Sequence, residues 1–111
     1  MNKIVFLWKS DNPIDVRDMI LPYIINSIKK KWWDEVEVII WGASQQFVAD
    51  NEDVQLDIAG LLADGAKIYA CRSCADSLCL IDKLTQLGID VQATGKMLTD
   101  RLQSDVKVLV L

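Results

Sequence analysis

The chain has no histidine among its 111 residues. That absence removes Cys–His and Ser–His–Asp machinery from within the chain and removes imidazole metal ligands. It also leaves no side chain whose ordinary pKa lies near neutrality. Cysteine is scarce, with three residues. An odd number of thiols in a chain long enough to build its own core does not point to a disulfide framework. Basic charge is in deficit: 12 Lys and Arg face 16 Asp and Glu, a net charge of −4. Nonspecific nucleic-acid binding is therefore not expected. No apolar run approaches membrane-spanning length. No leader pattern precedes Lys3, which runs straight into a strand-like segment. The expectation is a cytoplasmic protein with no membrane partner. No Gly-x-Gly-x-x-Gly follows the first apolar run and no Gly-x-x-x-x-Gly-Lys occurs, so nucleotide binding by those routes is unsupported.

What is present is a regular alternation. Ile4–Trp8 is a continuous apolar run that reads as a strand covered on both faces. Asn12 is the expected N-cap of a helix with Pro13 in its first position. Val16, Ile20, Tyr23, Ile24 and Ile28 then recur at helical spacing, and Pro22 inside that pattern predicts a kink or break. Val36–Trp41 is a second strand, ended by Gly42. A short helix over Ser44–Asp50 and a longer one carrying Val54, Ile58, Leu61 and Leu62 follow, the latter closed by Gly65. Lys67–Ala70 is a third strand. A helix from about Cys74 to Gln86 is expected next, with Leu78, Ile81 and Leu84 inward and Gly88 closing it. A short strand at 90–93, a short helix with Met97, Leu98 and Leu102, and a final apolar strand at Val106–Leu111 complete the chain. Strict β–α alternation with short turns implies one domain over residues 1–111: a three-layer α/β/α architecture with a mostly parallel five-stranded sheet, flavodoxin-like in outline.

The most informative stretch is Lys67-Ile68-Tyr69-Ala70-Cys71-Arg72-Ser73-Cys74. A buried strand ends in a thiol, and a second thiol follows three residues later at a helix start. This is the edge where open α/β sheets keep their ligands. Arg72 and the helix N-terminus both favour a thiolate at Cys71. Ser73 is the expected N-cap, with Asp76 as its reciprocal partner. Such a pair can form a disulfide, pass a sulfur atom or bind a soft metal; alternatively both are small buried hydrophobes. Cys71, Cys74 and one carboxylate make no zinc pattern, so neither metal nor other cofactor is expected. Cys79 reads as plain core. Trp8, Trp41, Gly42 and Ser73 are the candidate substrate-binding lining of the thiol edge, with core or subunit contacts as the alternative for the two tryptophans. Lys29–Trp33 reads as a solvated helix end with Trp packing beside the next strand. Asp50, Glu52, Asp53 and Asp57 read as a solvated acidic turn.

The strand ending Ile40-Trp41-Gly42, the helix ending Ala63-Asp64-Gly65-Ala66, the run Lys67–Cys71, Cys74-Ala75-Asp76, the short strand near Ile89–Gln92 and Thr94-Gly95 together resemble the DsrE/DsrF-like family of YchN-like and TusD-like small α/β proteins. The resemblance implies a largely parallel five-stranded sheet and homo-oligomers, commonly trimers or hexamers. It also implies a persulfide-carrying cysteine at the position of Cys71, while the Cys-x-x-Cys turn matches the YchN-like members. On this footing the leading expectation is a small sulfur-handling protein. Cys71 carries or accepts a persulfide, Arg72 supports it, and Cys74 is a resolving or accepting thiol. A sulfur-donor or sulfur-acceptor protein would be its partner. Whether it would act as a sulfurtransferase or as a carrier stays open. The alternatives are a homo-oligomeric binding or scaffold module with incidental cysteines, and a thiol–disulfide redox-responsive regulator.

Overall fold

In the computed structural model, which describes residues 2–111, five strands form one parallel sheet in the order β4-β3-β2-β1-β5. β1 (Lys3–Trp8) leads through α1 (Pro13–Asp15), a π-helical turn (Val16–Ile20) and α2 (Leu21–Lys29) to β2 (Glu35–Ile40). Next come α3 (Ala43–Asp50), α4 (Glu52–Ala63), β3 (Lys67–Cys71), α5 (Arg72–Ser77), α6 (Ile81–Gln86), β4 (Asp90–Gln92), α7 (Gly95–Leu102) and β5 (Lys107–Val110). The sheet is open and parallel like that of flavodoxin, but its strand order differs from the 2-1-3-4-5 of that fold.

Local chemistry explains most element ends. The Asn12 side chain accepts from the backbone N–H groups of Ile14 and Asp15, and Pro13 stands at the first helical position. Pro22 does not break the helix that follows. Its missing N–H falls just after the π-helical turn, in which the Leu21 N–H reaches back to the Val16 carbonyl, and the new helix starts there. Gly65 closes α4 at φ +99°, with the Ala66 N–H returning to Leu61 O and the Gly65 N–H to Leu62 O.

Two expectations fail between β3 and β4. The single helix over Cys74–Gln86 is two helices. The Leu80 N–H bonds Ala75 O at 2.7 Å and the Cys79 N–H bonds Asp76 O at 3.1 Å, which is the double closure of a helix end, with Cys79 at φ +58° in the place that glycine usually takes. Leu80 therefore turns inward and Leu78 is exposed. Cys79 is exposed too, so it is not a core residue. The periodic pattern misled because Leu78, Ile81 and Leu84 suit one continuous helix as well as they suit two.

The sheet's two faces are covered unequally. Ile4, Phe6, Trp8, Val36, Val38, Ile40, Ile68 and Ala70 share one face and pack with Ile20, Ile24, Ile58 and Leu84 in the main core. The other face carries Val5, Ile39 and, 2% exposed, Glu37. Here α7 is the covering helix: Arg101 meets the Glu37 carboxylate in a bidentate pair at 2.9 and 3.2 Å, and Lys3 Nζ approaches it at 2.9 Å. Burial pushes the Glu37 pKa up, but hydrogen bonds from Arg101 and Lys3 outweigh it and hold the carboxyl below its usual range. The apolar C-terminal strand, expected to be covered, is an edge strand with Leu109 exposed and Val110 54% exposed.

Because the folded pKa of Glu37 is lowered, its contribution to stability is full above the unfolded carboxyl range and is lost as pH falls through the folded value. Arg101→Met should cost about 1.5–3 kcal/mol at neutral pH and flatten the acid-side loss. Urea unfolding at neutral and acidic pH measures both, and a variant as stable as wild type would show that the pair does not hold α7 down.

Candidate functional site

The site lies where chain connections part. From the end of β3 the chain enters α5 on the main-core face, with Ala75 and Leu80 in that core. From the end of β4 it enters α7 on the opposite face, where Arg101 reaches Glu37. Neighbouring strands whose outgoing connections leave to opposite faces open a crevice at their carboxyl ends. Cys71 ends β3 and pairs in register with Gln92 on β4, and Thr94 follows two residues later. Cys71 and Thr94 thus flank this crevice.

The first turn of α5 brings the two thiols together. Cys71 is the N-cap residue, in extended backbone conformation, and Arg72 and Ser73 are the first two helical residues. Ser73 is therefore not the cap, and its hydroxyl makes no capping bond. The Ser73 carbonyl accepts from the Ser77 hydroxyl. Cys71 is 5% exposed, Cys74 is half-buried, and both are free thiols. Burial pushes the Cys71 pKa up, but the Cys74 N–H, the Thr94 hydroxyl, the Cys74 thiol and the Ser73 N–H lie where each favours a thiolate, and together they bring it below that of an ordinary thiol. Cys74 moves the other way. Burial raises its pKa, as do the hydrogen bond and charge of Cys71, against smaller opposing contributions from the Gly42 N–H and the Trp41 side chain. The pair holds its first negative charge on Cys71. Arg72 is exposed, and the foremost groups favouring the thiolate are the neighbouring N–H, O–H and S–H donors.

The loops after β1 and β2 form the rest of the edge. Trp8 is fully buried, and its indole N–H donates to Ser10 O at 2.9 Å. It is core and cannot line a substrate site, because its strand faces the helices of the main layer. Trp41 and Gly42 are half-buried beside Cys74. Gly42 stands at φ +76°, ψ −134°, a backbone state open to glycine alone, and this turns the chain into α3. A groove of about 480 Å³ runs along this edge, lined by Gly42, Ala43, Gln46, Ser73, Cys74 and Leu78 among others. Cys74 is the thiol that faces it. A second cavity, of about 360 Å³, lies at the opposite end of the sheet beside Trp33 and Lys67, away from the thiols.

Two residues of the site had no signal in the sequence reading beyond their presence. Ser44, buried in α3, donates to Trp8 O at 2.6 Å and stitches the two loops. Gln45, fully buried, donates from Nε2 to Ile40 O at 3.0 Å and to Cys71 O at 3.1 Å, tying the ends of β2 and β3. A glutamine in a short helix looks like surface, and only the packing of α3 onto the strand ends buries it. Thr94 appeared only as part of the family likeness. The aromatic–basic segment is as expected: Trp32 is exposed against Tyr23, and Trp33 packs beside the core. Asp53 pairs with Arg17 at the surface.

No family model matches the chain, and no curated protein matches it. Solved structures do. The conserved protein of unknown function BT1422 from Bacteroides thetaiotaomicron is 35% identical over 99% of this chain and 95% of its own, with a TM-score of 0.95. The protein of unknown function MTH1491 from Methanobacterium thermoautotrophicum is 19% identical over the full length of both chains, with a TM-score of 0.84. The YchN protein of Escherichia coli is 16% identical, again over both full lengths, with a TM-score of 0.72. The chain belongs to the family that BT1422 represents, with the YchN-like, DsrE/DsrF-like α/β fold.

Removing the Gln45 amide should loosen this edge. Gln45→Leu is expected to lose about 1–3 kcal/mol in urea unfolding and to change the alkylation rate of Cys71. An unchanged midpoint and rate would show that the amide does not secure the strand ends.

Proposed function

We propose that the protein handles sulfur through the Cys71–Cys74 pair. The observation that carries this reading is the opposed tuning of two adjacent thiols: a buried sulfur with a lowered pKa, hydrogen-bonded to a second sulfur that faces a groove. Purely structural cysteines need no such donor set. In the proposed step the Cys71 thiolate attacks the terminal sulfur of a persulfide. The donor's S–S bond breaks, its thiolate leaves and takes up a proton, and Cys71 holds the sulfur as a persulfide. The narrow exposure of Cys71 suits attack on one terminal sulfur presented end-on. Cys74 can then give up its proton to solvent and attack that outer sulfur as a thiolate; the S–S bond on Cys71 breaks and Cys71 departs as the better-stabilised thiolate. The sulfur then stands on the groove-facing residue, open to an acceptor. The donor and acceptor are proposed to be proteins, in the cytoplasm. No helix of the described residues is long and apolar enough to cross a membrane.

Cys79 is exposed and would react on its own account, so the test uses a Cys79→Ser background. After exposure to a persulfide donor and desalting, intact mass should rise by one sulfur atom. Cys71→Ser should abolish the gain, and Cys74→Ser should load but fail to pass the sulfur to an added thiol. Equal loading with and without Cys71 would defeat the mechanism.

A second reading, a homo-oligomeric module, draws on a different observation. Leu109 and Val110 are exposed on the β5 edge and Leu102 on α7, and an open apolar edge strand invites pairing. We propose a homo-oligomer, a trimer or hexamer, which is compatible with sulfur handling. Sedimentation should show an assembly that Val110→Lys weakens; a strict monomer at micromolar concentration would remove the claim.

A further inference from the structure

Thr94 stands at the N-cap of α7, where a threonine normally turns its hydroxyl onto the backbone N–H groups of the first helical turn. Here it makes no such bond. The residue is 1% exposed, and its hydroxyl is one of two buried side-chain polar atoms among the described residues that lack a hydrogen-bond partner. A buried hydroxyl withdrawn from its cap and left unpartnered costs stability and calls for a reason. Its position supplies one. It lies just past Gln92, the register partner of Cys71, on the far side of the crevice between β3 and β4. The helix that follows it is pinned by Arg101 on the buried Glu37 carboxylate, and Thr94 itself is enclosed by its neighbours.

We propose that the Thr94 hydroxyl is the donor that completes the anion site of Cys71, holding the sulfur in its reactive, negatively charged form. A neutral thiol is a weak acceptor and leaves this hydroxyl without a well-formed bond. A thiolate is a strong acceptor and receives it. The donors on the other side of the sulfur come from the first turn of α5: the N–H groups of Ser73 and Cys74 and the Cys74 thiol. Thr94 supplies a donor from the α7 side, so the two walls of the crevice together enclose the charge. The inference rests on the proposed use of Cys71 as a thiolate and adds the residue from a separate segment that makes that use possible.

The test compares Thr94→Val, which keeps the shape and loses the hydroxyl, with Thr94→Ser, which keeps the hydroxyl. The rate of Cys71 alkylation by iodoacetamide is followed against pH, with peptide mass mapping to assign the modified residue. The ultraviolet absorbance of the thiolate gives a readout that does not depend on access. Thr94→Val should slow Cys71 alkylation at neutral pH by about tenfold, the equivalent of one charge-assisted hydrogen bond, and displace the profile to higher pH. Thr94→Ser should follow wild type. A Thr94→Val profile that overlays wild type, or a Thr94→Ser profile that overlays Thr94→Val, overturns the inference. Should Thr94→Val not fold, Thr94→Ala reads the same loss. Persulfide loading is scored separately: a displaced profile without loading sinks the sulfur reading and leaves Thr94 standing, and loading with an undisplaced profile does the reverse.

Discussion

All strands of this sheet run the same way, so each connection must cross a face of the sheet, and twisted strands make that crossing right-handed. Three connections step from β1 outward to β4 and lay their helices on one face. The fourth must return across the whole sheet to place β5 beside β1, and handedness puts α7 on the opposite face. The unequal cover, the burial of Glu37 under a single short helix and the crevice between β3 and β4 are consequences of this one reversal. A βαβ chain that continued outward would have neither a second layer nor a switch point.

The reversal also explains why the thiol site draws on both faces. Cys71 shares the alternation of Tyr69 and Glu37, the face under α7, while the helix that follows it dives to the main core. The sulfur therefore sits between backbone donors from α5 and a hydroxyl from the start of α7. Cys74, one turn into α5, looks toward the loops after β1 and β2. A Cys-x-x-Cys turn on a helix alone would place its charge on the more exposed sulfur, beside water. Here donors around the less exposed sulfur outweigh its desolvation, so Cys71 favours the charge while Cys74 faces the groove.

Polar groups secure this arrangement where apolar packing cannot. The carboxyl ends of parallel strands leave backbone carbonyls facing inward at the edge that carries the two thiols. Ser44 and Gln45 from α3 meet three of them, at Trp8, Ile40 and Cys71. Both side chains are buried, and both act across the ends of strands rather than within a helix. The edge is held by hydrogen bonds that run across the sheet, so the position of Cys71 depends on β2 and α3 as much as on its own strand.

Local chemistry carried most of the fold in the sequence. The apolar runs at Ile4–Trp8, Val36–Trp41 and Lys67–Ala70, the Asn12–Pro13 helix start and the glycine closures at Gly65 and Gly88 are short-range preferences, each expressed by a few neighbouring residues, and each appears where those residues stand to within one residue at its ends. The pair Cys71–Cys74 at a strand-to-helix turn was legible for the same reason. The rest depended on residues far apart in the chain. The break at Leu78–Leu80 follows from which leucine finds the core, not from spacing. Trp8 became core rather than lining because its face of the sheet is the thickly covered one. Arg72 was adjacent in sequence yet is exposed to solvent, while Thr94 was remote in sequence yet flanks the crevice beside Cys71. Adjacency along a chain constrains backbone conformation; which side chain meets a given atom is decided by the crossing of strands and helices, and that exists only in the folded protein.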